Sequence, residues 1–180
     1  MEPVEIRTDR LLLRPFRASD VPALVNALAD PEVPRWTRVP TPYTEQDAIE
    51  WTGTVAPGQW AAGTGAPFAV VETATGLLVG SCGLHDLGAG AAEIGYWCSA
   101  PARGRGITTE AVGAVTAWAF ATLGLERVNW YAGVGNWASR RVAERNGYTI
   151  DGMLPLGMEQ RGQHIDCWHG HRLPTEADLR

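Results

Sequence analysis

The chain contains no lysine, and all fifteen of its basic residues are arginine. That excludes a Walker phosphate loop, whose GxxxxGK[ST] pattern needs a lysine on the nucleotide phosphates. Cysteine is sparse and odd in number: Cys82, Cys98 and Cys167 lie far apart, with no CxxC spacing. This argues against a disulfide framework and fits a reducing compartment. No apolar run approaches the roughly 18 residues of a membrane-spanning helix. The opening "MEPVEIRTDR" has no apolar segment of the signal-peptide kind. A cytoplasmic protein without a membrane partner is therefore expected. Net positive charge is also lacking. The formal charge of −5 points away from nucleic acid as a partner.

What is present supports one folded domain. The 180 residues are 45% hydrophobic and 19% charged, enough apolar surface for a sizeable core. Eight tryptophans supply large apolar faces, for core packing or for the walls of a pocket. "RLLLRPF" (10–16) reads as a strand, and the next stretch as a short helix with Asp20 as N-cap. A second helix starts at Thr44. The Pro/Thr-rich stretch 36–44 and the stretch 56–67 read as loops. "PFAVVET" and "LLVGSCGL" form a hairpin around "ATG", followed by the strand 91–99. Alternation there puts Glu93, Gly95 and Trp97 on one face and Ile94, Tyr96 and Cys98 on the other. A long amphipathic helix, a strand at 127–134, a helix capped by Asn136 and a closing hairpin complete the chain. The alternation of strand and helix predicts an α/β fold whose mixed sheet has at least one parallel strand pair.

The chemistry gathers at "SAPARGRGITTEAV" (99–112). Gly104 and Gly106 let backbone approach a ligand closely, and the free amides of the following helix make an anion site. Arg103 and Arg105 add charge-assisted donors, and Thr108 and Thr109 can cap the helix or reach a phosphate. A dinucleotide fingerprint, GxGxxG, is excluded because Thr109 stands where the third glycine belongs.

This corner follows a Glu-bearing strand, precedes an amphipathic helix, and is followed some thirty residues later by "NWASRRVAERNGY". The arrangement resembles the GNAT superfamily of acetyl-CoA-dependent N-acetyltransferases. Residues 103–108 match the (Arg/Gln)-x-x-Gly-x-(Gly/Ala) pyrophosphate loop in its first two fixed positions and depart at Thr108. "NWASRRVAERNGY" is similar to the family's Asn-x-x-(Ser/Ala) helix ending in Gly-Phe/Tyr. "TDRLLLRPF" and "AEIGYWC" resemble the RimJ/RimL type, the ribosomal-protein N-terminal acetyltransferases. The resemblance runs over residues 7–173.

It implies a single domain with a strongly twisted mixed sheet, helices on both faces, and a splay between the strands of Glu93 and of 127–134. Pantetheine would lie in that splay, near Trp97, Cys98 and Ser99. The pyrophosphate would sit on the amides of Gly104, Arg105, Gly106, Ile107, Thr108 and Thr109, with Asn136 and Ser139 facing the thioester arm. No metal is expected.

An amine attacks a thioester only as the neutral base. Glu93 is the first candidate to take its proton; the alternative is a strand carboxylate with a structural partner. A backbone amide near Trp97 or Cys98 would steady the oxyanion. Many family members protonate the leaving thiolate with a tyrosine, but that position here is Ala143. Ser139 is the substitute donor, and Tyr148 is expected in the core. Trp36, Tyr43, Trp51 and Trp168 are candidates for the acceptor pocket. Cys167, His169 and His171 share one strand face, for packing and acceptor contact in preference to a metal.

The expected activity is acetyl transfer from acetyl-CoA to a primary amine by direct attack in a ternary complex, with a protein or peptide N-terminus as first acceptor. A small-molecule amine such as an amino sugar, polyamine or antibiotic is the alternative, and a silent CoA-binding module the rival. A longer acyl group and a homodimer remain open.

Overall fold

The computed structural model describes residues 1–178. Eight strands form one sheet in the order β1-β2-β3-β4-β5-β6-β8-β7. They are β1 (Ile6–Arg7), β2 (Leu11–Arg14), β3 (Ala66–Glu72), β4 (Leu78–Gly88), β5 (Ala91–Cys98), β6 (Arg127–Gly133), β7 (Thr149–Gln160) and β8 (Gln163–Arg172). Every neighbouring pair is antiparallel except β5 with β6, which is parallel. The mixed α/β sheet foreseen from the strand–helix alternation is therefore present. Its single parallel step falls where α5 (Ile107–Ala121) makes the crossover.

Each face of the sheet buries its own apolar cluster. On one side Val112, Val115 and Phe120 of α5 pack on Phe68, Val70, Cys82 and Ile94. On the other, Leu24 and Leu28 of α1 (Val21–Leu28) and Ala48 of α3 (Glu45–Glu50) close over Phe16 and Ala69, with Trp51 and Trp97 alongside. Strand alternation separates the two sets, since Ala69 lies between Phe68 and Val70 and so points the opposite way.

Local chemistry explains most boundaries. Thr44 caps α3 through a box in which its hydroxyl accepts from the Asp47 amide and Asp47 accepts from the Thr44 amide. Asn136 caps α6 (Trp137–Arg145) by accepting from the Ser139 amide at 3.1 Å. Two expectations change. Asp20 does not cap α1 with its side chain. Its carboxylate is buried in a two-pronged pair with Arg14, at 2.7 and 2.8 Å, and also accepts the Arg17 amide. Residues 56–62, read as loop, form helix α4 (Ala56–Ala62). There Trp60 is buried and its indole donates to the Pro67 carbonyl, a tertiary gain that outweighs the poor helix propensity of Gly58. The segment Glu32–Trp36, ahead of the Pro/Thr-rich loop, is a further short helix, α2.

Candidate active site

The parallel pairing of β5 and β6 covers only Ala91↔Arg127, Ala92↔Val128 and Glu93↔Asn129. Beyond Glu93 the strands part, and residues 94–98 keep a strand partner only on the β4 side. Backbone groups of β5 that face the gap are therefore free to pair with an extended ligand. A cavity of about 1070 Å³ fills the gap and continues on both sides of the sheet. Glu93, Tyr96, Trp97, Cys98, Arg103, Gly104, Gly106, Thr108, Thr109, Asn136 and Ser139 all line it.

At one end the loop after β5 turns into α5. Gly106 is the N-cap with φ +77°, and Gly104 has φ +73°. Left-handed backbone at both positions turns successive amides toward one concavity. Among the described residues, the amides of 104–109 donate no well-formed hydrogen bond. Residues 103–106 are exposed at the mouth of the cavity, and these helix-start amides are open to accept an anionic ligand. The expected threonine cap is absent because Gly106 takes that position. The side chain of Thr108 faces the Cys98 thiol, which burial keeps protonated.

The arginines behave differently from the expectation that they point at a phosphate. Arg103 pairs with Asp30 at 2.6 Å, and Arg105 with Glu72, while Arg10 donates to the Arg105 carbonyl. They brace the loop against the turn between α1 and α2 and against β3. Arg103 still edges the cavity; Arg105 does not. Ser99 and Ile107 also lie outside the lining. Ser99 is buried with its amide on the Val79 carbonyl, and the Ile107 side chain enters the core.

Deeper in the gap Ser139 meets two partners that the sequence did not single out together. The Tyr96 hydroxyl lies 3.0 Å from both Ser139 Oγ and the Ser139 carbonyl. Trp130 Nε1 donates toward the Tyr96 hydroxyl at 3.0 Å and Ser139 Oγ at 3.1 Å. Burial drives the Tyr96 phenol well above its ordinary range, so it remains a proton donor at neutral pH. Ala143 is buried at the position where many relatives carry tyrosine, and Tyr148 is a core residue bonded to Thr116 at 2.9 Å. A phenol thus reaches this point from β5. The alternation of β5 had placed Tyr96 on this face; only the fold shows that Ser139 lands opposite it.

On the other face Glu93 is half-buried. Burial raises its carboxyl pKa, offset in part by the Arg38 charge and reinforced by Asp86. Trp36, Tyr43 and Trp51 line this side of the cavity. Trp168 does not: it faces α6, packed at a tilt of 56° against Trp137 with ring centroids 4.6 Å apart and Arg140 over its ring. The β7–β8 turn is strapped to the 34–41 loop. The Gln160 amide donates to the carbonyls of Pro34, Arg35 and Thr37, and Arg161 donates to those of Pro34 and Val39. His171 Nδ1 lies 2.7 Å from Asp151, outside the cavity.

Comparison with known proteins accords with this geometry. The model of the Acetyltransferase (GNAT) domain matches residues 10–149. A Bacillus subtilis protein named "Putative ribosomal N-acetyltransferase YdaF" is 41% identical over 103 residues, spanning 56% of this chain and 56% of that protein. The solved structure of a RimL ribosomal L7/L12 alpha-N-protein acetyltransferase in complex with coenzyme A superposes with a TM-score of 0.85. It covers 94% of this chain and 98% of that one at 21% identity. Mycobacterium smegmatis RimJ in complex with CoA-disulfide gives a TM-score of 0.82 over 99% and 94% of the two chains at 22% identity. At those identities the two structures speak to the fold. The family match, with its splayed strands and glycine-turned helix start, fixes the assignment: this chain belongs to the GNAT acetyltransferases.

Proposed function

We propose that the protein transfers an acetyl group from acetyl-CoA to a primary amine, first of all the α-amine of a protein or peptide, in the cytoplasm. The observation that carries the reading is the cavity that joins an unsatisfied run of helix-start amides to a protonated phenol and a half-buried carboxylate. The residues present fit the cosubstrate. Amides 104–109 would hold its pyrophosphate, and the free β5 edge at Trp97 and Cys98 its pantetheine amides. Acetyl-CoA supplies a thioester carbonyl open to attack by a neutral amine.

The side chains then divide the proton work. Glu93, on the acceptor face, takes a proton from the amine as the new C–N bond forms. Tyr96, steadied by Ser139 and Trp130, gives a proton to the departing sulfur. Replacement of Tyr96 by Phe is expected to lower turnover about 10- to 100-fold, less than loss of an isolated acid because Ser139 and Trp130 remain as donors. The affinity for acetyl-CoA should stay within about twofold. Steady-state kinetics with a thiol reagent measures both, and an unaltered turnover removes Tyr96 from the reaction.

The acceptor preference rests on YdaF and RimL, whose names point to ribosomal proteins. Thiol release from acetyl-CoA across a panel of N-terminal peptides, amino sugars and polyamines tests it. Turnover on peptides is the expected result. Turnover confined to small amines supports the alternative, and tight CoA binding without turnover supports a silent module.

A further inference from the structure

We propose that His85, on β4, is a second catalytic base that shares the amine proton with Glu93; the proposal rests on the acetyl-transfer reading above. The β4–β5 register sets His85 directly opposite Glu93 and Gly83 opposite Gly95. Residues opposite one another share a face, with Cβ atoms about 5 Å apart. The imidazole therefore belongs to the same acceptor wall as the carboxylate, and both line the cavity.

Gly95 shows where the ring sits. A Cβ built on Gly95 would come within 2.8 Å of His85 Cδ2 and Nε2. The absent side chain is the space that the ring occupies. That position lies on the Glu93 face of β5, the face opposite Tyr96, and it borders the same cavity. Glu93 lies one step further toward the closed end of the splay. Of the two bases, the His85 ring thus stands further toward the open end of the splay.

The charged groups around the ring leave it neutral. Burial lowers its pKa from the ordinary imidazole value, Arg38 from the 37–44 stretch lowers it further, and the neighbouring Asp86 works against both. Glu93 faces it from β5. No side chain among the described residues hydrogen-bonds either ring nitrogen. An unpartnered neutral imidazole at a cavity wall has a lone pair available for a proton.

The amine nitrogen bonds to the carbonyl carbon while an N–H proton passes to the free imidazole nitrogen. The C–S bond breaks, and the sulfur takes the Tyr96 proton. The imidazolium hands its proton to the Glu93 carboxylate, which loses it to solvent, and Tyr96 is reprotonated from water.

The test compares wild type, His85→Gln and Gly95→Ala in peptide acetylation from pH 6 to 10. His85→Gln is expected to lower kcat by about 100-fold at pH 7, with acetyl-CoA affinity unchanged. The deficit should shrink as pH rises and the amine loses its proton unaided. Gly95→Ala keeps every titrating group but drives a methyl into the ring position, and should reproduce the defect. In NMR titrations the His85 imidazole should titrate below its ordinary value. An active wild type with both variants matching its pH profile overturns the His85 proposal alone. A wild type that releases no thiol with any amine overturns the acetyl-transfer reading and this proposal together.

Discussion

Glu93→Gln is expected to reduce kcat/KM for the amine about 100-fold or more at pH 7 while leaving acetyl-CoA affinity unchanged. The amide keeps the size and polarity of the side chain but cannot accept a proton, and general-base steps contribute about 10²- to 10⁴-fold. The residue lies on the acceptor side of the gap, remote from the helix-start amides, so cosubstrate binding has no reason to change. The pH profile gives a second readout. Burial raises the Glu93 pKa, and only the ionised form is a base. Wild-type activity at subsaturating peptide should therefore rise with pH through that raised value, and the variant should lose the limb.

Stability should move the opposite way. A carboxyl whose folded pKa lies above its unfolded value holds its proton more tightly when folded, so this group costs stability as pH rises through that window. Relative to wild type, the melting temperature of Glu93→Gln should be higher at pH 7 than the difference seen at pH 4. A variant with full activity, or one that melts lower at neutral pH, would count against a site carboxylate held in a desolvated position for its chemistry.

The second large effect is structural. Asp20→Ala is expected to destabilise the protein by about 3–5 kcal/mol, the usual result of leaving one member of a buried ion pair unpaired. Both side chains are under 10% exposed, the pairing is two-pronged, and the Arg17 amide also loses its acceptor. For a domain of this length that corresponds to a fall in melting temperature of about 6–20 °C. The pair ties the end of β2 to the turn that starts α1, and Leu24 and Leu28 of α1 form part of the cavity wall. Loss of acceptor affinity should accompany loss of stability. Exchanging both members together, Arg14→Met with Asp20→Leu, should restore most of the melting temperature, because neither charge is then stranded. A single variant within about 1 kcal/mol of wild type would show that the pair contributes little.

Much of this arrangement was legible in the residues, and the exceptions have physical causes. Glycine and helix-start chemistry near 103–109 is local, so the glycine-turned start of α5 could be read from the chain alone. The Asn136 cap and the Thr44 box are likewise settled within three or four residues. The arginine partners could not be read, because Asp30 and Glu72 are brought to Arg103 and Arg105 only by the fold. Tertiary contact also decided Asp20, which fits an N-cap position but finds a stronger partner in Arg14, and residues 56–62, whose helix exists to bury Trp60. Trp168 had the composition of a pocket wall, but its parity in β8 places it beside Trp137 on the α6 face. The meeting of the Tyr96 phenol with Ser139 needed the register of two distant segments.

The proposed reaction is acetyl transfer to an α-amine. Its most direct test is to incubate the protein and acetyl-CoA with a peptide that carries both a free N-terminus and an internal lysine, and to locate the added acetyl group by fragment mass spectrometry. One acetyl group is expected, on the N-terminal nitrogen, forming about 100-fold or more slowly in Glu93→Gln. Acetyl on the lysine alone, or an unmodified peptide beside rapid acetylation of small amines, would contradict it.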